Sequence, residues 1–233
     1  MAMRQSFEQK LRELHLDLIY MGGLVEESID KTILALQNQD IELARNVFDG
    51  DDVIDDLERV IEKKCLILIA RQQPVARDLR SITAALKIIT DMERIADHSS
   101  DIAEITIRMA SEKYIKPLID IPIMAGKAKE MVNKAIDAYV RQDVELAKVV
   151  CASDDDVDEL FQKIILELVG LMQNNTDIIG QSVNLMFIAK YLERMGDHAT
   201  NIAEWVVYNV TGEHEHLATM LHKDDKKRNP FIY

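Results

Sequence analysis

An internal repeat constrains this chain more than any other feature of its sequence. Residues 93–104 read ERIADHSSDIAE and residues 193–204 read ERMGDHATNIAE, which gives seven identities in twelve positions at an offset of 100. DIELAR from Asp40 and DVELAK from Asp143 match at an offset of 103. The second copy has therefore lost three residues between the equivalents of positions 57 and 93, and the chain is a tandem duplication of units of roughly 100 residues.

Within each unit the apolar residues recur at the period of an α-helix. From Phe7 to Val25 they step by fours and threes, which keeps them on one stripe of a helix. Only 4 Pro and 8 Gly occur in the chain, too few for the turns of an all-β fold. Because three amphipathic helices can close a small core, we predict an all-α fold, a tandem duplication of a three-helix bundle. The six long helices are predicted at about 7–36, 41–71, 75–110, 123–141, 143–173 and 178–211.

Two breaks divide the chain. The stretch KPLIDIP at 116–122 carries two of the four prolines and is the expected link between the copies. After it, the apolar period continues until Thr211-Gly212, the expected end of the sixth helix. We therefore predict a first bundle at 1–115, a second at 116–212 and a tail at 213–233 that we expect to be frayed.

Charge and hydropathy exclude several classes of protein. The 41 Asp and Glu outnumber the 28 Lys and Arg, and the net charge of −13 argues against binding to nucleic acid, which requires clustered cations. The first residues lack the apolar run of a secretory signal, and no window resembles a membrane span. Cys65 and Cys151 lie in apolar stretches without metal-type spacing, so we expect buried free thiols. These observations predict a cytoplasmic protein, peripheral to a membrane at most.

Acidic residues form a stripe on each third helix. In residues 93–104 four acids are spaced by four, four and three positions, so they share one face of the helix within about 80°. The second helices carry acid pairs one turn apart that could face this stripe. Like charges one turn apart repel, and a hard cation held by carboxylate oxygens, such as Mg²⁺, Ca²⁺, Mn²⁺ or iron, would relieve the repulsion. The candidate metal ligands are Glu93, Asp97, Asp101, Glu193, Asp197, Asn201, Asp51, Asp55, Asp154 and Asp158.

The same residues have simpler interpretations. Arg94 and Arg194 stand at the edge of each stripe and could neutralise it in part, which would make the stripe a solvated acidic face. His98 and His198 recur about 140° from the first Glu of each motif, an angle that points away from the acids and indicates boundary residues rather than ligands. Neither motif contains the Glu-x-x-His pair of di-iron bundles, and no phosphate-binding loop or hydrolase motif occurs.

Several motifs together resemble the PhoU family of phosphate-specific transport accessory proteins. They are QQPVARDLRSI at 72–82, the repeated ERIADHSSDIA and ERMGDHATNIAEW, and VVYNVTGEH at 206–214. The resemblance covers the chain from about Phe7 to His214 and includes the duplication.

The resemblance implies a function that spacing alone does not. Members of the family are cytoplasmic, often dimeric regulators that keep the phosphate-starvation response off and restrain the high-affinity phosphate transporter. Their implied partners are the ATPase subunit of that transporter and a phosphate-sensing membrane histidine kinase. Some members bind multinuclear iron or other metal ions through paired acidic motifs. Carried over, these motifs fall on Glu93 with Asp97, Glu193 with Asp197, and the acid pairs at 51/55 and 154/158.

Two departures separate the copies. The segment aligned with QQPVARDLR reads NNTDIIGQS in the second copy, and Asn201 replaces Asp101, so the two sites need not bind metal equally. The leading prediction is a non-enzymatic, metal-binding regulatory adaptor that forms homodimers. The alternatives are a carboxylate-bridged metalloenzyme and a structural scaffold with solvated acidic faces.

Overall fold

Six long helices form the part of the chain that the computed structural model describes, residues 2–213, with side chains from residue 7 onward. No strand occurs between residues 2 and 213, so the prediction of an all-α fold with six long helices is confirmed. A short 3₁₀ turn, Thr176–Ile178, precedes the last helix. The tail predicted from residue 213 lies, apart from Glu213 itself, outside the described residues. The helices are α1 Ala2–Asn38, α2 Ile41–Gln72, α3 Ala76–Met109, α4 Asp120–Arg141, α5 Val144–Asn174 and α6 Ile179–Thr211.

The helix ends follow from local sequence. The side chain of Asp40 accepts a hydrogen bond of 3.0 Å from the backbone N–H of Leu43, and Asp143 caps α5 through Leu146 at the same distance. Gly212 ends α6 with φ of 84°, a left-handed conformation that glycine adopts without the penalty of a Cβ atom. The cap predicted for α2 and the end predicted for α6 are therefore confirmed.

The three-residue deletion lies at the turn between the second and third helices of the second copy. Residues 73–75 connect α2 to α3, whereas Asn175 alone separates α5 from the 3₁₀ turn. Helix α2, at 32 residues, is also one residue longer than α5. The loop with Pro74 therefore belongs to the first copy only, as the sequence comparison indicated.

The linker between the copies differs from its predicted bounds. Helix α4 begins at Asp120, so Pro122 lies in its first turn, where the backbone N–H that proline lacks has no helical partner. Gln181 of α6, which is 6% exposed, forms hydrogen bonds with the backbone of the linker. The side-chain oxygen of Gln181 accepts from the N–H of Ile115 at 2.6 Å, and its amide donates to the carbonyl of Lys113 at 3.1 Å.

The two bundles share one continuous core. Helices α1–α3 form the first bundle and α4–α6 the second, and they join mainly through α3 and α6, with a smaller contact between α1 and α4. The predicted apolar stripe of α1 is buried from Leu14 to Ile29, and Cys65 and Cys151 are buried free thiols, as predicted. None of the six helices contains an apolar stretch that could span a bilayer. The shared core holds α2 and α5 against the acidic faces of α3 and α6.

Candidate metal sites

In the first bundle, α2 and α3 bring three aspartates together. One carboxylate oxygen each of Asp51, Asp55 and Asp97 lies within 4.8 Å of the other two. Asp51 and Asp55 are one turn apart on α2, and Asp97 faces them from α3. No other group of three or more His, Cys, Asp or Glu residues meets this limit in the described part of the chain. The oxygens of these three aspartates lie close enough together to coordinate one cation. We call the three aspartates and the neighbouring Glu93 the first cluster.

Partial burial makes the first cluster a poor place for uncompensated negative charge. The side chain of Glu93 is only 18% exposed, too little for a freely solvated acidic face. Burial, followed by the charge of Asp97, raises the pKa of Glu93 to about 7. Burial and then Asp97 and Asp55 raise the pKa of Asp51 to about 6. Burial also raises the pKa of Asp97, even though Arg94 lies beside it. The fold therefore keeps these carboxylates close together, although burial and mutual repulsion both disfavour their ionised forms.

The arginines beside the first cluster satisfy it only in part. Arg94 pairs with Asp97 at 3.0 Å, and Arg59 pairs with the Oδ2 atom of Asp55 at 3.2 Å. The Oδ1 atom of Asp55 is buried and has no hydrogen-bond partner. A buried carboxylate oxygen without a partner is costly, and a divalent cation is one group that could engage it. Because all donors are carboxylate oxygens, the cluster suits a hard cation such as Mg²⁺, Ca²⁺, Mn²⁺ or iron.

The second bundle carries acids at the equivalent positions, Asp154, Asp158, Glu193 and Asp197, which we call the second cluster, although no three of their carboxylate oxygens lie within 4.8 Å of one another. Burial and then the charges of Asp158 and Asp197 raise the pKa of Asp154 to about 7. Burial also raises the pKa of Asp158 and of Asp197. A Cβ atom added at Gly196 would lie 3.2 Å from the Oδ1 atom of Asp154, so the glycine lets this carboxylate approach α6 closely.

One pair of residues makes the two clusters electrostatically different. Beside the first cluster, Thr90 donates a hydrogen bond of 3.1 Å to Glu58, and the negative charge of Glu58 is one of the causes that raise the pKa of Glu93. The equivalent residues of the second copy are Lys190 and Phe161. The Lys190 ammonium pairs with Glu193 of the cluster and lies 5.3 Å from the ring centroid of Phe161. At these two positions the second cluster therefore has a cation where the first has an additional acid, whereas Arg59, which pairs with Asp55 in the first cluster, corresponds to Gln162 in the second copy.

Two predicted ligands point elsewhere. Asn201 donates a hydrogen bond of 3.2 Å to Asp91, and Asp101 lies 3.5 Å from Nδ1 of His98. Both contacts belong to the interface between α3 and α6. The reason is geometric: each step of four residues turns about 40° around the helix, which carries position 101 from the face toward α2 to the face toward α6. The remaining eight predicted ligands belong to the two clusters.

The repeated histidines lie in the same interface. Their ring centroids are 5.6 Å apart, and Nδ1 of His198 is 2.8 Å from Asp91 of the other bundle. The boundary position predicted for them is confirmed. The expectation that they point away from the acids is wrong, because residues three apart on a helix are neighbours and His98 thereby reaches Asp101. Asp91 was not predicted, although its position seven residues before His98 places it on the same side of α3.

Six helices in two copies, each copy with partly buried carboxylates between its second and third helices, define a duplicated all-α helical-bundle protein. The family model described as PhoU domain matches residues 18–106 and 121–206. The chain belongs to the PhoU family.

Relatives and solved structures agree over most of the chain. The chain is 42% identical over 211 residues to the "phosphate-specific transport system accessory protein PhoU homolog" of Clostridium acetobutylicum, covering 90% of this chain and 96% of that one. It is 35% identical over 227 residues to the homolog of Pseudomonas aeruginosa, covering 97% and 94%. The crystal structure of PhoU from Pseudomonas aeruginosa superposes with a TM-score of 0.86 at 36% identity, covering 89% of this chain and all of that one. PhoU from Streptococcus pneumoniae gives 0.84 at 27% identity, covering 90% and 99%.

Proposed function

We propose that this protein is an accessory regulator of phosphate uptake that restrains a high-affinity phosphate transporter and keeps the phosphate-starvation response off. The observation that carries the proposal is the match to proteins named as accessory to the phosphate-specific transport system, which extends across both copies. The protein acts by binding, without catalysis, in the cytoplasm. Its partners are the ATPase subunit of the transporter and a phosphate-sensing membrane histidine kinase, and it forms homodimers.

The two carboxylate clusters suggest how such an adaptor is held in its binding form. Each cluster joins the second and third helices of a bundle through acids whose ionised forms are disfavoured by burial and then by mutual repulsion, as the raised pKa values of Glu93 and Asp154 indicate. A bound Mg²⁺, Mn²⁺ or iron, as a single ion or a multinuclear cluster, would replace this repulsion by attraction and hold the helices together. We propose that metal occupancy stabilises the shape that the partners recognise.

Binding to the transporter ATPase tests this function directly. The purified ATPase subunit is immobilised, and the full chain is applied with and without phosphate, and with and without chelator. We expect retention that falls when the chelator removes metal. The variant Asp51→Asn with Asp97→Asn should reproduce the effect of the chelator. The matched control Asp101→Asn alters an acid of the same stripe outside the clusters, and it should bind like the wild type.

Each arm of the experiment addresses a different part of the proposal. Absence of binding under every condition would contradict the role in the transport system. Equal binding of the chelated, doubly substituted and untreated proteins would retain the adaptor role and remove the metal from it. Metal-dependent hydrolysis of a phosphate ester by the purified chain, lost in the double variant, would favour a metalloenzyme instead.

A further inference from the structure

The first two helices of each bundle form a surface groove, and the duplication places the two grooves at equivalent positions. The groove of the first bundle lies between α1 and α2, and that of the second lies between α4 and α5. The same ion pair stands at both rims. Lys31 pairs with Glu27 at 2.7 Å, and Lys134 pairs with Glu130 at 2.7 Å. Because the backbone and the rim are repeated, any difference between the grooves comes from their walls.

The walls differ in one pair of facing residues. Leu24 of α1 and Val53 of α2 line the groove of the first bundle. At the equivalent positions of the second bundle stand Lys127 and Asp156, whose ammonium and carboxylate groups are 2.7 Å apart. This ion pair bridges α4 and α5 across the groove. The first groove is therefore open and apolar at the two positions where an ion pair spans the second groove.

The apolar wall of the first groove remains in contact with water. Val53 is 55% exposed, and a Cβ atom added at Gly50, one turn before it, would meet nothing within 4 Å. The floor beneath is core, since Val47 and Ile54 are each 4% exposed. An apolar side chain entering from outside would therefore contact apolar groups on the floor and on both walls. Removing its apolar surface from water would contribute a favourable free energy of about 25 cal/mol per Å².

The surroundings of the groove select the charge of an occupant. Within residues 41–60 there are seven acids and two arginines, a difference of five negative charges. Asp49 and Asp56 stand one turn before and one turn after Val53 on the same side of α2; both are exposed, and Asp56 pairs with Arg59 at 2.8 Å. An apolar side chain offered by an acidic segment would be repelled, whereas a segment with lysine or arginine on either side of it would be attracted.

We propose that the groove between α1 and α2 is a docking site for a cationic amphipathic helix of a partner protein, which inserts one apolar side chain between Leu24 and Val53. The equivalent groove of the second bundle does not bind such a helix, because Lys127 and Asp156 bridge it. The protein therefore presents one docking site per chain in spite of its duplicated fold. This inference stands independently of the proposed role in phosphate transport.

An exchange of the wall residues between the grooves tests the proposal without changing net charge. The probe is a labelled, helix-forming peptide of leucine and lysine, titrated into the full chain by fluorescence anisotropy and calorimetry. We expect one site on the wild type. Leu24→Lys with Val53→Asp should weaken binding about tenfold or more, the effect of failing to bury a leucine-sized side chain. Lys127→Leu with Asp156→Val should create a second site.

The controls separate groove binding from general attraction between a cationic peptide and an acidic protein. A peptide with the same lysines and with serine in place of leucine should bind the wild type and the Leu24→Lys/Val53→Asp variant equally weakly. Val53→Asn alone, at an exposed position and with no change of net charge, replaces that variant if it unfolds. Unchanged affinity in the closed variant, or one site in the opened variant, would overturn the proposal. A dimer that dissociates when the groove is closed would assign the groove to a second copy of the chain and would also overturn it.

Discussion

Replacing Asp51 by asparagine should stabilise the metal-free protein while weakening its response to metal. Asp51 lies between α2 and α3, and Asp97 and Asp55 are the negative charges that most disfavour its ionised form. Asparagine has nearly the same shape, and its amide oxygen can still accept a hydrogen bond from Ser100. The substitution therefore removes one charge and one anionic metal ligand with little change in packing. Opposite effects on the metal-free and metal-bound forms distinguish a metal ligand from an ordinary structural acid.

The expected size follows from the pKa of Asp51, which burial and neighbouring carboxylates raise from 3.8 to about 6. At 1.36 kcal/mol per pKa unit, this difference corresponds to about 3 kcal/mol at pH 8. Discounted for the partial exposure of the side chain, we expect a gain of about 1–1.5 kcal/mol in the free energy of unfolding. The gain should be absent below about pH 4, where the carboxyl is protonated in both states, and should grow as the pH rises to about 6.

Urea denaturation measures both effects. Wild type and Asp51→Asn are unfolded at pH 4, 6 and 8 with chelator, and again with Mg²⁺ or Mn²⁺ in excess. A metal at a hundred times its dissociation constant stabilises the wild type by about 2.7 kcal/mol, and a tenfold weaker site would gain only about 1.4 kcal/mol. The matched control is Asp52→Asn, an exposed neighbour, which should change stability by less than about 0.5 kcal/mol and leave the metal response intact.

Two outcomes would refute the reasoning. If Asp51→Asn destabilises the chelated protein equally at pH 4 and pH 8, the carboxylate contributes through packing or hydrogen bonding rather than through repelled charge. If the variant gains as much from metal as the wild type does, Asp51 is not a ligand and the first cluster is an acidic face without a cation.

Three further predictions concern other parts of the molecule. Because Asp51, Glu93 and Asp154 have raised pKa values, the folded metal-free chain binds more protons than the unfolded chain between about pH 4 and pH 7. Its free energy of unfolding should therefore fall by about 2–4 kcal/mol from pH 5 to pH 8. A free energy of unfolding that does not change with pH in the presence of chelator would contradict this prediction. Changing Lys190 to the threonine of the first copy should strengthen metal binding at the second cluster about tenfold in calorimetric titrations, and unchanged affinity would show that the lysine does not compete with metal. Gln181→Ala should cost about 1–3 kcal/mol and expose the linker between α3 and α4 to limited proteolysis, whereas a linker that resists cleavage in the variant would show that it is held by other contacts.

Much of the fold could be predicted from local patterns. The spacing of apolar residues along α1 predicts a helix of the observed course, and Asp40 caps α2 because a side-chain carboxylate can reach an N–H three residues ahead without help from the rest of the molecule. The duplication predicts that the second copy repeats the first. The error at Pro122 has a local cause as well: proline is compatible with the first turn of a helix as well as with a linker, so its presence does not distinguish the two.

The candidate sites could be predicted only in part. Spacing places Glu93, Asp97 and Asp101 on one face of α3, but it does not say where the neighbouring helices cross that face. Packing assigns Asp97 to α2 and the first cluster, and it assigns Asp101 to the interface with α6. The half-buried residues Asp91 and His198 belong to different copies, 107 positions apart, so no local pattern could have joined them.

By itself, the sequence determined that this protein is helical, that it is duplicated, and which acids each helix presents, because these properties depend on the period of a helix and on the identity of residues within one copy. Only the tertiary structure decided which acids meet as a cluster, that both bundles share a core, and that one groove is open while its equivalent is bridged. Those outcomes depend on how side chains from separate helices fill the space between them, and a one-dimensional pattern does not specify that space.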